Sequence, residues 1–513
     1  MSAATGLAIN GTKTTGQDVR SQNVTACSAI ANIVKSSLGP LGLDKMLVDD
    51  IGEVTITNDG ATILKQLDVQ HPAAKVLVEL ADLQDREVGD GTTSVVILAA
   101  QLIKHGNELV RDKVHPTSVI QGFRLAMRQA CKYIAEELAV TTDSLGKEAL
   151  MNTAKTSMSS KIIGNQDHFF SEMVVEAMLK VKTEGKRGIR YPLKSVSILK
   201  AHGLSASESY ITDGFAIKMA RASQGMPSKV IGAKVACIDF DLKKFKGSMG
   251  VDIVVSNPKE LELIREREEM ICKERIQLML DAGANIILTT KGIDDLAMKC
   301  FTDNGCIAVR RVPVVDMQRI AKATGATLTV SLGTLEGDEA FDASWVGSCD
   351  VVSEERIGDY EMMLFKGCKT TKATTIVLRG ANEYMLDEME RSVHDALCVV
   401  KRTLESGMVV AGGGAVETAL SIHLENFATT LGTREQLAIA EFAEALLIIP
   451  RTLAVNAACD ATELVAQLRA YHYKYQADPA NCEDHFKNLG LDLTNGQIRD
   501  NIAAGVLVRP PTT

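Results

Sequence analysis

The spacing of apolar residues predicts helices at both ends of this chain. Residues 18–38 repeat apolar positions three and four apart, and Gly39-Pro40 then stops the helix. Residues 46–48 and 54–57 are β-rich and flank a turn. Later helical patterns cover residues 72–88, 92–113, 116–138, 383–404, 415–427 and 434–459. Both ends of the chain are therefore predicted to be helical.

The middle of the chain, between about residues 190 and 370, follows another pattern. Its longest helix begins at Pro258, after Asn257 as the capping residue and with Glu260 completing a capping box. Short apolar runs alternate with helical stretches at residues 235–240, 285–290, 306–311 and 326–331. The order helical, α/β, helical predicts that the two helical ends share one core around a central α/β insertion.

Composition narrows the possible function classes. The 513 residues are 46% hydrophobic and 24% charged, which is ordinary for a globular protein and excludes collagen and extended disorder. The formal net charge of -9 disfavours nucleic acid as the main partner. None of the 11 cysteines forms a CxxC pair, so reduced, mostly buried thiols are expected. Because no apolar run reaches about 18 residues and no secretory signal opens the chain, we expect a cytosolic protein.

Residues 89–94, GDGTTS, carry the most informative candidate chemistry. They open a helical pattern, and a helix start presents unpaired N–H groups and a positive dipole end. Two glycines would let a phosphate approach the backbone, three hydroxyls add donors, and Asp90 suits a Mg²⁺ ion bridging to phosphate oxygens. A capped turn between two helices would explain the same residues, and the chain contains no Walker A motif.

Three further segments combine turn signals with glycine. Residues 36–42 end a helix with Gly-Pro-x-Gly, residues 58–60 read Asn-Asp-Gly after a strand, and residues 412–414 are three glycines before a helix. A nucleotide could lie against such bare backbone, but a C-cap, a tight turn and a helix start are the structural alternatives. Position 417 is Glu, so the third glycine of a dinucleotide fingerprint is missing and a Rossmann site is excluded.

Two charged residues have a functional and a structural interpretation. Asp395 lies about 200° around its predicted helix from Val393, on the side away from the apolar stripe. A solvated carboxylate paired with Arg391 would explain this position. Lys161 falls in a predicted loop over residues 156–163, where it is either a solvated lysine or a phosphate sensor.

Five motifs in this order resemble the group II chaperonins, the ATP-driven protein-folding rings. They are LGPLGLDKM (38–46), NDGAT (58–62), GDGTTS (89–94), HDAL (394–397) and AGGGA (411–415), and the similarity extends from about residue 16 to 506. The resemblance implies a multi-domain chaperonin fold of α and α/β type. It implies a helical equatorial ATP-binding domain (1–146 and 404–513), a small intermediate domain (147–215 and 370–403) and an inserted α/β apical substrate-binding domain (216–369).

The resemblance also implies an ATPase site with ATP and Mg²⁺ as cofactors. Asp59 and Asp395 would orient and activate the attacking water, and Asp90 would hold the metal ion. Because Asp395 would lie on the intermediate domain, hydrolysis would wait for domain closure. Nucleotide contacts are implied for Leu38, Gly39, Pro40, Asp90, Gly91, Thr92, Thr93, Ser94, Ser159, Ser160, Lys161, Gly412, Gly413 and Gly490.

By the same resemblance, the chain is an ATP-dependent chaperone subunit in a hetero-oligomeric double ring. Its partners would be seven paralogous subunits and unfolded clients such as actin and tubulin. Residues 243–275 would form a lid protrusion, or a charged helical hairpin without that role, and residues 293–303 a substrate-facing helix.

One departure from the family pattern supports an alternative. Val508 stands where the family carries an acid, and the sequence ends at Thr513. The alternative is a truncated, assembly-deficient and non-enzymatic isoform that binds clients or partner subunits.

Overall fold

The computed structural model describes residues 15–142, 146–185, 188–244, 258–333, 339–358, 360–368, 373–478 and 484–509. The α-helices are α1 (Gln17–Lys35), α2 (Gly60–Gln66), α3 (Pro72–Glu87), α4 (Thr92–Arg111), α5 (Pro116–Tyr133), α6 (Gly146–Met158), α7 (Asp167–Lys180), α8 (Pro258–Asp281), α9 (Asp295–Asp303), α10 (Val314–Thr324), α11 (Glu383–Ser406), α12 (Ala415–Thr429), α13 (Glu435–Leu446), α14 (Ile448–Asn456) and α15 (Ala461–Ala477).

The strands are β1 (Lys45–Val48), β2 (Val54–Thr57), β3 (Val140–Thr141), β4 (Thr183–Gly185), β5 (Gly188–Arg190), β6 (Val196–His202), β7 (Tyr210–Asp213), β8 (Phe215–Ile217), β9 (Lys229–Ile238), β10 (Ile286–Thr289), β11 (Ile307–Val309), β12 (Leu328–Thr329), β13 (Gly347–Ile357), β14 (Tyr360–Cys368), β15 (Thr374–Gly380), β16 (Met408–Ala411), β17 (Leu489–Asp492), β18 (Gln497–Asp500) and β19 (Leu507–Val508). None of the described helices is both long and apolar enough to cross a membrane.

The chain divides into two units. Unit 1 contains residues 1–171 and 391–513, and unit 2 contains residues 172–390. The two boundaries fall within α7 and α11. In this division Asp90 and Asp395 belong to the same unit, and the three-domain boundaries implied by the resemblance stay a prediction.

Unit 1 is mainly helical, and both chain ends build its largest core. The core joins side chains of α1–α4 to side chains of α14, α15 and β17, including Ile30, Val34, Ile63, Leu64, Leu77, Ile97, Leu453, Leu468 and Leu491. A second cluster packs α5 against α12 and α13. The apolar stripes from which these helices were predicted are buried in the two cores, away from water.

Short strands of unit 1 fix the positions of several of its loops. The antiparallel hairpin of β1 and β2 leads directly into α2. β16 lies between β3 and β19, so the segment before α12 is joined to the C-terminal strand. β17 and β18 form another antiparallel pair.

Unit 2 contains a mixed seven-stranded sheet with helices on both faces. β11, β10, β9 and β12 pair in parallel, and β13, β14 and β8 continue the sheet in antiparallel pairs. Alternate residues of β10 enter different cores: Ile286 and Leu288 pack with α10, whereas Ile287 packs with α8 and α9. This burial on both faces explains why the parallel strands are continuous apolar runs. A smaller sheet has the order β6-β15-β7.

Two predicted helices had the wrong bounds. α1 ends at Lys35 rather than residue 38, because Ser37 turns back and donates its hydroxyl to the Val34 carbonyl at 2.8 Å. The predicted helix over residues 434–459 is two helices, α13 and α14. Pro450 explains the break, since its ring would clash with the carbonyl of Leu446, the last residue of α13.

The predicted loop over residues 156–163 was also partly wrong. α6 continues to Met158, so only the residues after it form a turn. Asn257 and residues 245–257 of the predicted protrusion lie outside the described residues, as do residues 510–513.

Candidate active site

The loop between α3 and α4 leaves the start of α4 open. Gly91 is the N-cap of α4 in a left-handed conformation, with φ 72°, and no side chain caps this start in the part of the chain that the structure describes. The first intrahelical bond runs from Val95 N to Gly91 O at 3.0 Å. The N–H groups of the first turn therefore lack helical acceptors and favour an anion. The capped-turn interpretation of GDGTTS is wrong for this geometry.

Asp90 lies in this loop without a strong stabilising partner. Its Oδ1 accepts the Gly91 N–H at 2.7 Å, and its carbonyl accepts Gln84 Nε2 at 3.0 Å. Burial raises the pKa of the Asp90 carboxyl, and the charge of Asp395 raises it further against the opposing charge of Lys161. The ionised carboxylate is therefore disfavoured here, and a cation bound beside it would stabilise the ionised form.

Asp59 is the N-cap of α2 and is fully engaged in hydrogen bonds. Its Oδ2 accepts the N–H of Thr62 at 2.9 Å and the Thr62 hydroxyl at 2.7 Å. Its Oδ1 accepts the Thr92 hydroxyl at 2.9 Å, which ties α2 to the start of α4. Burial opposes ionisation of Asp59, but the hydrogen bonds of Thr62, the charge of Lys161 and the bond of Thr92 outweigh it and lower the pKa.

Gly60 allows this close approach of α2 to α4. A Cβ at position 60 would lie 2.6 Å from Thr93 Oγ1 and 3.1 Å from both Thr93 Cα and N. Only a residue without a side chain fits this contact with the backbone. The glycine of the Asn-Asp-Gly turn is thus required by packing as well as by the turn.

Asp395 forms a buried ion pair with Lys161. The Lys161 ammonium donates to Asp395 Oδ2, and the two side chains are 7% (Lys161) and 13% (Asp395) exposed. Burial lowers the pKa of Lys161, but the charge and hydrogen bond of Asp395 and the charges of Asp90 and Asp59 raise it above its usual value. The interpretation of Asp395 as a solvated carboxylate paired with Arg391 was therefore wrong. We call Asp59, Asp90, Asp395 and Lys161 the acidic cluster.

The turn after α6 holds Lys161 in the acidic cluster. Asn58 donates its side-chain amide to the Ser160 carbonyl, so the segment before α2 is attached to the residue preceding Lys161. Ser159 points elsewhere, since its hydroxyl donates to the Thr156 carbonyl at 2.9 Å and the residue is exposed. Of the three predicted residues in this turn, Lys161 alone has its side chain in the cluster.

Gly412, Gly413 and Gly490 meet around Asn501. A Cβ at Gly413 would lie 2.3 Å from Asn501 Nδ2, and one at Gly490 would lie 2.2 Å from the same atom. Asn501 Nδ2 donates to the Gly412 carbonyl at 2.8 Å, and Leu491 N donates to Gly413 O at 2.9 Å. The close packing of backbone on Asn501 explains these glycines, and Gly414 is the N-cap of α12 without a side-chain hydrogen bond.

The Leu38-Gly39-Pro40 turn contacts α14. Asn456 Nδ2 donates to the Leu38 carbonyl at 2.8 Å, and a Cβ at Gly39 would lie 2.5 Å from Leu453. α14 also contacts residues 412–414, the glycine segment, since a Cβ at Gly414 would lie 2.7 Å from Pro450. One helix therefore connects two of the predicted nucleotide-binding segments.

Comparison with known proteins identifies the family. Residues 30–508 match the TCP-1/cpn60 chaperonin family. The chain belongs to this family. It is 63% identical over 500 residues to T-complex protein 1 subunit alpha of Arabidopsis thaliana, covering 97% of this chain and 91% of that protein.

More distant relatives have the same coverage. T-complex protein 1 subunit alpha of Dictyostelium discoideum is 55% identical over 502 residues, covering 98% of this chain and 91% of that protein. A thermosome subunit of Methanopyrus kandleri is 38% identical over 492 residues, covering 96% and 87%. The predicted resemblance to group II chaperonins and the chaperonin fold class are thereby confirmed.

The structure of this chaperonin adds residues that the sequence did not single out. The Ser157 hydroxyl is buried beside Asp90 and makes no well-formed hydrogen bond within the described residues. Thr62 holds Asp59 through hydrogen bonds, and Asn501 holds the segment of residues 412–414. Thr62 falls in the NDGAT motif and Ser157 in the predicted loop over residues 156–163, which was a usable signal, whereas nothing in the local sequence marks Asn501.

Arg509 follows the strand β19 and lies close enough to Asp90 for their charges to interact. This strand pairs with β16 beside Gly412. Burial and the nearby Arg402 lower the pKa of Arg509, and the charge of Asp90 opposes them. The segment that departs from the family pattern thus places a cation near Asp90.

Proposed function

We propose that this chaperonin chain is an ATP-hydrolysing chaperone subunit of a hetero-oligomeric double ring that encloses and folds other proteins. The observation that carries the proposal is the acidic cluster at the open start of α4. Four charged side chains from four separate segments meet where helix N–H groups lack acceptors. Phosphoryl transfer to water needs a base, a metal ligand and phosphate donors close together, and the acidic cluster together with the start of α4 would supply all three.

The donor set fits a magnesium nucleotide. The N–H groups and hydroxyls of residues 92–94 would bind phosphate oxygens, and Asp90 would hold Mg²⁺. The ion suits this position because burial disfavours the uncompensated Asp90 carboxylate and the Ser157 hydroxyl beside it has no well-formed bond. When bound, Mg²⁺ would neutralise charge on the transferred phosphoryl group.

In the proposal, Asp395 is the general base and Asp59 is a positioning group. Asp395 Oδ2 is held by Lys161, so the base becomes available only when Lys161 moves toward another anion. Asp59 has both oxygens engaged by Thr62 and Thr92 and therefore acts by fixing the α2 and α4 starts. Hydrolysis would then depend on a rearrangement of the turn after α6.

The names of the relatives support the assembly part of the proposal. They are called a subunit alpha and thermosome subunits, which describes components of larger particles. We further propose that the chain assembles with seven paralogous subunits, folds clients such as actin and tubulin, and is located in the cytosol. The equatorial, intermediate and apical division and the lid protrusion belong to the same proposal.

Asp395→Ala tests the proposed reaction. We expect turnover of ATP to fall by about 10² or more, the scale for losing a positioned general base, while nucleotide binding is retained. Asp387→Ala is the matched control, because Asp387 is on the same helix but pairs with Lys200 at 2.6 Å. The measurements are steady-state phosphate release and binding of a fluorescent nucleotide. Unchanged turnover in Asp395→Ala would remove Asp395 from the mechanism.

A further inference from the structure

The two carboxylate oxygens of Asp395 have different partners. Lys161 bonds Oδ2, while the Nδ1 atom of His394 lies 3.8 Å from Oδ1. Lys161 is almost completely buried, but the His394 side chain is 55% exposed. Oδ2 therefore faces the other members of the acidic cluster, and Oδ1 faces His394 at the exposed edge of the cluster.

Helix geometry alone does not bring His394 to Asp395. Consecutive residues on a helix point about 100° apart and do not face each other. Here the imidazole lies beside Cys398, one turn later, with the Cys398 Sγ 3.8 Å from Nδ1 and 4.0 Å from Nε2. Cys398 is itself fixed, since a Cβ at Gly89 would lie 2.5 Å from its Cβ. The imidazole thus lies between Asp395 and the Cys398 thiol, which packs on Gly89 in the loop between α3 and α4.

The surroundings of His394 favour a cation. Asp395 and Cys398 face it from α11 and Asp85 faces it from α3, with Asp59, Asp90 and Lys161 behind them. Interaction with the Asp395 carboxylate, followed by that with Cys398, raises the pKa of His394 well above its usual value. A protonated imidazole carries a proton on the Nδ1 atom that lies 3.8 Å from Asp395 Oδ1.

We propose that His394 is a positioning residue that holds Oδ1 of Asp395, so that Oδ2 is the oxygen that acts as the base. The inference rests on the proposed function of Asp395. Lys161 is shared among three carboxylates and can leave Oδ2 for another anion, whereas His394 interacts with Asp395 and Cys398. His394 then keeps the carboxylate plane fixed after Lys161 has moved, which preserves the orientation on which a general base depends.

A titration of the nucleotide-free full-length chain tests the contact itself. In protein with ¹³C-labelled histidine, we expect His394 to titrate at least one pH unit above His168, which is exposed in the same unit. Asp395→Asn should move the midpoint of His394 down toward that of His168 and leave His168 in place. His394→Gln assigns the resonance. An ordinary midpoint for His394 in the unmodified chain, or no response to Asp395→Asn, would overturn the proposal.

Kinetics test the positioning role. An asparagine amide nitrogen occupies the place of histidine Nδ1, and a glutamine amide nitrogen that of Nε2. We therefore expect His394→Gln to lower kcat about tenfold and His394→Asn to lower it no more than about threefold, with nucleotide affinity unchanged in both. His168→Gln is the control and should match the unmodified chain.

The outcomes separate the two proposals. Full turnover in Asp395→Asn would refute the proposed function of Asp395 and with it this inference. An inactive Asp395→Asn combined with an unchanged kcat in His394→Gln would refute the role of His394 alone. Equal loss in His394→Asn and His394→Gln would show that the Nδ1 contact is not what matters.

Discussion

Lys161 lies among three carboxylates that come from three separate parts of the chain. Its ammonium bonds Asp395, 234 positions away, and its charge also acts on Asp59 and Asp90. One cation cannot neutralise three anions in a partly buried site, and burial followed by the charge of Asp395 raises the pKa of Asp90 despite Lys161. The site thus stores an electrostatic cost that a divalent cation would remove.

This cost leads to a prediction for Asp90→Asn. Because the ionised Asp90 destabilises the folded state at neutral pH, the variant should raise the Tm of the nucleotide-free chain by a few degrees. The same variant should lose most of the Tm increase and the affinity gain that Mg²⁺ gives in the presence of ATP. Thermal unfolding with and without Mg²⁺ measures both effects.

Asp68→Asn is the control for Asp90→Asn, because Asp68 is exposed and accepts a hydrogen bond from Gln70. It should change neither the Tm nor the magnesium dependence. A lower Tm of Asp90→Asn without nucleotide would contradict the electrostatic argument, and a full magnesium effect would contradict the metal-binding role.

His472 predicts a pH dependence of stability. Its Nε2 donates to the Leu489 carbonyl at 2.9 Å, next to Gly490, and burial lowers its pKa to about 4. Between about pH 6.5 and 4 the unfolded chain binds a proton that the folded chain does not, so stability falls as the pH falls. We expect the Tm of His472→Gln to vary less over this window. A Tm with the same pH slope in the variant would exclude His472 as the source.

At the scale of elements, the approach of α2 to α4 sets the geometry of the acidic cluster. Asp59 caps α2, Thr92 begins α4, and Gly60 lets the two helix starts touch. A Cβ at position 60 would meet the buried Thr93 side chain first and the Thr93 backbone next, both at the start of α4. The separation of these two helix starts therefore controls where Asp59 and Thr92 lie.

Gly60→Ala tests this contact between elements. The added methyl group must displace the start of α4, and we expect it to cost about 1–3 kcal/mol of stability and to weaken nucleotide binding. Gly432→Ala is the matched control, since a Cβ there meets nothing within 4 Å. Denaturant unfolding and nucleotide titration are the measurements. Equal behaviour of the two variants would show that the helix starts have room to adjust.

At the scale of the whole molecule, unit 1 is built from both ends of the chain. α1–α4 share their core with α14, α15 and β17, so neither end can bury its apolar stripe alone. Unit 2 is continuous in sequence between the two boundaries. This arrangement makes the segments proposed to bind nucleotide dependent on the complete fold of unit 1.

The proposed assembly predicts the composition of the native particle. Tagged chain purified from cell extract should elute far above the size of one chain and should carry seven related chaperonin subunits in equal amounts. Mass spectrometry of the purified particle identifies them. A particle containing this chain alone would indicate a homo-oligomer, and a single-chain species would favour the non-enzymatic alternative.

Much of the architecture could be predicted from periodicity, because helices and strands bury their apolar residues at different spacings along the sequence. Apolar spacing predicted α3, α4 and α5 to within a few residues, and it predicted the change to α/β texture in unit 2. It failed at Ser37 and Pro450, where a side-chain bond and a ring clash ended helices whose apolar pattern continued.

The sequence by itself determined the family, the helical and α/β segments, and the motifs that contain Asp59, Asp90 and Asp395. Only the tertiary structure decided that Asp395 pairs with Lys161, that His394 lies at its other oxygen, and that Asn501 fills the space left by Gly413 and Gly490. The physical reason is that periodicity and local motifs report burial along one element. Pairings between side chains far apart in the chain depend on how the elements pack in three dimensions.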